Sequence, residues 1–370
     1  MEKKIATEIF DFATESTEDT EGKTNFNISD LPSSAGLVFF TDNQGQPIAL
    51  LTTANIRRTV KNKLAEQQEK TKRADLKSIT AKIYYKVCVC KFRLAITHYD
   101  AVKRLFAKNY NDYITLVWPW YVTVNVNDKI PFFTVTKKPA LKDAEKILGP
   151  FPTQKSAAGF VNVLEDVYKL CRKREHVNNG RSCPYMQMDA CVGVCAGKIS
   201  TDDYKKIIEQ AFDAGAEPEK AIENFQTEMQ KAAKELQFEK AAALKKRIDK
   251  LAALKKPAYK WTRDLRKLKI VHIDKSFKIK EQGSKKKKQT FAVFVMNAFG
   301  IIDAGDLVWD NPDVIKSIVN KGLEELPTEA DENTLEKFSI VTYFLYRSKP
   351  PGEWVDNLKF QIEDLKFGMA

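Results

Sequence analysis

The sequence predicts an α+β protein built from several domains. Three observations carry this. A chain of 370 residues has room for roughly two to four separate cores. Strand-like alternating runs and helical patterns occupy different stretches, instead of alternating one for one as in a parallel α/β fold. Between them lies a stretch of another kind, residues 171–195, which holds four of the six cysteines.

The elements follow in order. Residues 1–30 form an acidic lead with little periodicity, and they read as weakly ordered. Order is expected from Leu31-Pro32. Residues 35–64 show a strand, an Asn43-Gln44-Gly45 turn, a second strand and a helix start. Residues 65–80 are charged and helical in pattern. Two strand-rich runs follow, residues 81–98 and 113–138, separated by a helix around Ala101 to Lys108. Cys88 and Cys90 alternate within the first run and are expected on one face of a strand. Trp118, Trp120 and Tyr121 in the second could stack on bases, but aromatics in alternating strands pack into cores more often.

Past the cysteines, residues 217–254 carry two helical patterns joined at Gln237, with no Gly or Pro at the join. Ile222, Phe225, Met229, Ala233 and Leu236 step by three and four, and so do Ala241, Leu244, Ile248 and Leu251. This predicts an antiparallel helical hairpin with an Ala-rich seam and with Phe238 and Glu239 at its turn. Pro257 ends it. Residues 269–309 read as three strands. Asn311-Pro312 opens a helix that turns Ile315, Ile318, Val319 and Leu323 inward. A second helix from Glu332 leads to an expected strand, SIVTYFLYRS.

Charge and composition narrow the function. The net charge is +12, and the first thirty residues carry eight acids against three lysines, so the remainder is more basic still. A basic body favours a polyanion, and Arg57, Arg58, Arg172, Arg174 and Lys286 are the candidate DNA contacts; a solvated charged face is the plainer account of each. No apolar run resembles a signal peptide or reaches membrane-spanning length, which predicts a cytoplasmic protein without a membrane partner. Thiols kept reduced there suit metal ligation better than disulfides. Cys171, Cys183, Cys191 and Cys195 are spaced C-x11-C-x7-C-x3-C. Spacing alone leaves a Zn2+ site and an iron–sulfur cluster both open.

Three stretches taken together resemble the UvrC family, the nuclease component of the bacterial ABC excinuclease in nucleotide excision DNA repair. Residues 148–171, LGPFPTQKSAAGFVNVLEDVYKLC, are similar to the GPFP stretch that leads into the family's first cluster cysteine. The four cysteines match its [4Fe–4S] ligands, and MQKAAKELQFEKAAALKKRI resembles its UVR motif. The resemblance implies a [4Fe–4S] cluster on Cys171, Cys183, Cys191 and Cys195, DNA as a partner, and docking of a UvrB-type helicase through Phe238, Glu239, Ala242 and Arg247. It also implies a GIY-YIG-like domain at 31–145, a GPFP and cysteine region at 146–215, the hairpin at 216–256 and a small α+β module at 257–370. That module does not resemble the family's RNase H-like nuclease, and no helix-hairpin-helix tail is read after it.

The GIY-YIG chemistry is not carried over. Such a site needs a phenol, a metal-holding carboxylate and basic groups together. The family's two tyrosines fall on Val38 and Ala49, its glycine on Leu51, its lysine on Thr52, its arginine on Thr59 and its glutamate on Val102. No catalytic residue is assigned, and the domain reads as a degenerate nuclease. The alternatives are an active, divergent GIY-YIG endonuclease incising damaged DNA, and a zinc-stabilised adaptor unrelated to DNA.

Overall fold

Alternation of side chains decides the first sheet. In the computed structural model, which describes residues 8–15, 17–18, 24–65, 76–172, 184–280, 287–308 and 312–356, strands β1 (Asp11–Glu15), β4 (Gly36–Thr41), β5 (Pro47–Thr53) and β6 (Lys82–Val87) form an antiparallel sheet in the order β1-β6-β4-β5. A two-residue ladder, β2 (Thr17–Glu18) with β3 (Thr24–Asn25), accompanies it. Along β4, Val38 and Phe40 face the helix Ile56–Leu64, while Leu37 and Phe39 face the helix Lys91–Leu105. Both faces are therefore buried. The β4–β5 turn closes as expected. Gly45 has φ +83°, and Asp42 Oδ1 accepts the Gln44 and Gln46 N–H groups at 2.8 Å each.

Within the acidic lead, β1 pairs with β6 and Phe10 stacks on Phe39 at 5.4 Å; an apolar pair, Ile9-Phe10, anchors it despite the acidic composition. One expectation for this region is corrected: Cys88 and Cys90 do not lie in a strand. β6 stops at Val87, and Cys90 is the residue that heads the helix Lys91–Leu105.

The second sheet crosses residue 145, the expected end of the N-terminal domain. Its order is β10 (Arg263–Asp264), β9 (Glu145–Phe151), β7 (Trp120–Asn125), β8 (Thr134–Thr136). Its core is closed by the helices Gln154–Tyr168 and Thr201–Ala216. The first begins with a reciprocal capping box between Thr153 and Ser156, and the second is capped by Ser200, whose hydroxyl accepts from the Asp203 N–H. Tyr121 is fully buried, and Lys137 and Lys138 stand over Trp120 and Trp118.

The third sheet has the order β13 (Ile301–Val308), β12 (Lys287–Asn297), β11 (Lys269–Lys280), β14 (Glu353–Asp356). The helix Pro312–Glu325 covers one face through Ile315, Val319 and Leu323. The other face is covered by the helix Thr334–Leu345 together with the N-terminal helix Lys91–Leu105. The C-terminal module thus shares its core with the N-terminal part of the chain. Phe92 meets Phe294, Phe344 and Trp354 edge to face at 5.0–5.4 Å. Arg93 fastens the rim, with Nε and Nη2 on Asp303 at 2.7 and 2.8 Å and Nη1 on Asp306 at 2.9 Å. The first seven residues of SIVTYFLYRS, 339–345, are helix rather than strand. They are mostly apolar and buried on nearly every side, so they carry no two-residue period.

Candidate functional site

The cysteine site begins where the helix Gln154–Tyr168 ends. Lys169 takes the left-handed conformation, φ +50°, and turns the chain so that Leu170 and Cys171 run inward. The Cys171 N–H donates to the Tyr204 hydroxyl at 3.2 Å. The returning segment is stitched to the same corner, since the Val192 N–H donates to the Lys169 carbonyl at 2.9 Å. Lys169 also pairs with Asp189.

These contacts bring Cys171 and Cys191 together in the core, and Cys195 follows in a single 3-10 turn, Val194–Ala196, whose Val194 packs into that core. Cys183 lies outside the described residues. The Cys171 thiol hydrogen-bonds Cys191, and this, with the Gly193 N–H at 3.4 Å from the sulfur and the Arg172 charge, outweighs burial and holds the Cys191 thiol at about 6. Gly193 has φ +76°, and a Cβ there would meet Lys198 Cδ at 3.0 Å. The small residues inside CVGVC are thus the sequence signal for a loop folded back on a sulfur. Tyr204 and Lys169 carried no such signal.

Of the proposed DNA contacts, Arg57 and Arg58 are exposed, with Arg57 Nε donating to the Leu31 carbonyl at 2.6 Å. The Arg172 guanidinium pairs with Asp166 and Glu165 and lies over the Tyr185 ring. Arg174 and Lys286 lie outside the described residues.

The hairpin is the pair of helices Pro218–Lys234 and Phe238–Leu251. Its inner seam contains Ile222, Phe225, Ala232 and Leu244, and Leu236 makes the turn at φ +59°. At the tip Phe238 is 66% exposed and Leu236 72%. Glu239 and Ala242 are exposed beside them. Half-buried Arg247 lies over Phe225 at 4.2 Å and Tyr168 at 5.3 Å, and burial lowers its pKa; it joins the hairpin to the helix that feeds Cys171.

The positions matching the family's nuclease residues do not form a site. Val38 is buried against the helix Ile56–Leu64, and Val102 is buried on the helix covering the opposite face of the sheet. Ala49 pairs with Phe40, and Thr52 is exposed. Tyr84 packs in the core, where burial raises its phenol pKa, and Asp100 is paired with Lys337 at 3.3 Å.

Comparison with known proteins places this geometry. Residues 119–214 match the family described as UvrC/Cho excinuclease, middle domain. The UvrABC system protein C of Nautilia profundicola is 30% identical over 131 residues, covering 35% of this chain and 21% of that protein. The UvrABC system protein C of Caldicellulosiruptor saccharolyticus is 23% identical over 229 residues, or 60% of this chain and 38% of that one. That of Clostridium acetobutylicum is 31% identical over 141 residues, or 37% and 22%. The chain therefore spans well under half the length of these relatives. No solved structure matches it significantly. Among the described residues no helix is long and apolar enough to cross a membrane. Residues 119–214, where the match, the second sheet and the cysteine corner coincide, are thus similar to the middle domain of UvrC-type excinucleases.

Proposed function

We propose that the chain acts in nucleotide excision repair as a UvrC-like protein that binds DNA, docks a UvrB-type helicase through its hairpin, and does not cut DNA with its N-terminal domain. The observation that carries this reading is the hairpin tip. An aromatic side chain 66% exposed next to a carboxylate, on a rigid support anchored in the family's middle domain, is an interface feature and not a packing one. The basic net charge and the exposed Arg57 and Arg58 support DNA as the second partner. The buried aliphatic side chains at Val38 and Val102 support the absence of cutting, because neither can move a proton or hold a cation.

Cys171, Cys183, Cys191 and Cys195 are the proposed ligands of a [4Fe–4S] cluster. The donors fit. Two thiols are buried side by side, one is acidified to about 6, and a backbone N–H points at its sulfur, as cluster sulfurs require. Bound there, the cluster would supply folding energy by closing the 171–195 loop. Protein purified without oxygen should be brown and hold about four iron and four sulfide per chain. It should also retain a UvrB-type helicase in a pull-down that Phe238→Ala abolishes. Colourless protein with one zinc would replace the cluster by a zinc site, and capture that survives Phe238→Ala would move the partner surface off the tip. Magnesium- or manganese-dependent nicking of damaged or branched DNA that disappears in Tyr84→Phe, in Tyr85→Phe at the next position of β6, or in Asp100→Asn would establish the divergent endonuclease instead.

A further inference from the structure

Cys90, His272 and Asp274 are distant in sequence and meet at the seam between the N-terminal helix and the third sheet. One donor atom from each lies within 4.8 Å of the other two. Cys90 heads the helix Lys91–Leu105, and His272 and Asp274 are two residues apart on one face of β11. Cys90 and His272 are buried while Asp274 is half-buried, so the group is closed toward the core and opens to solvent at the carboxylate.

The imidazole carries the argument. Its Nδ1 stands 2.9 Å from the Glu353 backbone carbonyl. A carbonyl only accepts, so Nδ1 holds the proton and Nε2 the lone pair. Nε2 is buried and has no hydrogen-bond partner among the described residues, an arrangement that costs free energy unless something occupies it. A carbonyl holding the far nitrogen is the usual support of a ligating histidine. The ring cannot swing away, because Trp354 stacks on it at 3.9 Å and Phe92 meets it edge-on at 5.3 Å.

We propose that Cys90 Sγ, His272 Nε2 and a carboxylate oxygen of Asp274 bind a divalent cation of the zinc class, with the fourth position open to solvent beside Asp274. A sulfur, nitrogen and oxygen donor set selects a borderline cation of this kind over magnesium or calcium. Tetrahedral zinc places sulfur and nitrogen about 3.6 Å apart and nitrogen and oxygen about 3.3 Å apart, so the donors need to close by at most about 1.5 Å. On binding, Cys90 gives up its proton to solvent, and thiolate and carboxylate together neutralise the ion. A Cys-His-Asp nucleophile is a poorer account. Cys90 is buried, and His272 Nδ1 faces a carbonyl where a triad needs a carboxylate.

The test uses the full chain, stripped by chelator and then titrated with Zn2+ and with Co2+. The cysteines of residues 171–195 also take these ions, so the reading is a difference between variants. Cys90→Ala and Asp274→Ala should each bind one equivalent fewer than the wild type, or bind it at least tenfold more weakly. Both should lose part of the rise in Tm that Zn2+ gives. Cys195→Ser should keep that equivalent. Asp274→Ala alters only the half-buried edge, so it decides the matter even where Cys90→Ala fails to fold. Undiminished metal binding in Asp274→Ala, or in a folded Cys90→Ala, overturns the proposal.

Discussion

Replacing Phe238 by alanine separates a docking tip from a packed turn. Phe238 has only about a third of its surface out of water, since it is 66% exposed. Full burial of a phenylalanine contributes roughly 1.5–3 kcal/mol, so its removal should cost no more than about 1 kcal/mol. Phe225, one helix away on the same hairpin, is 9% exposed and carries the Arg247 guanidinium 4.2 Å above its ring. Phe225→Ala should cost about 3–5 kcal/mol, from the cavity and from leaving a desolvated cation without its ring. Urea unfolding of the two variants beside the wild type, followed by amide exchange at the hairpin, measures both. A Phe238→Ala loss above about 2 kcal/mol, or a Phe225→Ala loss smaller than that of Phe238→Ala, would refute the exposed tip and with it the docking role.

Three further outcomes follow from the same contacts. Glu336 is half-buried, which alone would raise its pKa, but hydrogen bonds from Tyr110 and Tyr99 and the Lys103 charge pull it below its ordinary 4.5. Its contribution to stability is therefore full above that ordinary value and lost as pH falls through the depressed folded value, so Glu336→Gln should flatten acid unfolding in that window; an unchanged acid limb removes the assignment. Arg93→Ala should cost about 2 kcal/mol and Arg93→Lys most of that, because an ammonium cannot reproduce the fork on Asp303 and Asp306, and full rescue by lysine in a urea titration would argue against the bidentate geometry. Cys183→Ala should strip iron and sulfide together from anaerobically prepared protein, and retention of both would exclude Cys183 as a ligand.

Local signals were legible in the sequence and distant juxtapositions were not. The hairpin with its tip at Phe238, the Gly45 turn and the helix opened by Pro312 all follow from short-range spacing, although Ala232 is buried in the seam in place of Ala233, and Leu236 makes the exposed turn. SIVTYFLYRS misled because a helix buried on nearly every side has no period, and its β-branched and aromatic residues then imitate a strand. The pairing of Arg172 with Glu165 and Asp166 carried no signal, because both lie more than a helical turn before it. The Arg93 contacts with Asp303 and Asp306, and the meeting of Cys90 with His272, join residues far apart along the chain, and no local pattern marks them.

The cysteine corner and the hairpin are wired to each other. Asp166 pairs with Arg172, the residue after Cys171, and also with Lys250 on the second hairpin helix at 3.5 Å. Two residues along the same helix, Tyr168 lies under Arg247 and beside Phe225. The root of the hairpin therefore rests on the last turn of the helix whose next residues run to Cys171, and its direction is set by the same corner that gathers the thiols. The tip has no such ties, since Leu236 and Phe238 face solvent. A rigid root with a free apolar tip lets a partner be met without reordering the hairpin. Much of the entropy that docking would otherwise cost is already spent in folding the cysteine corner.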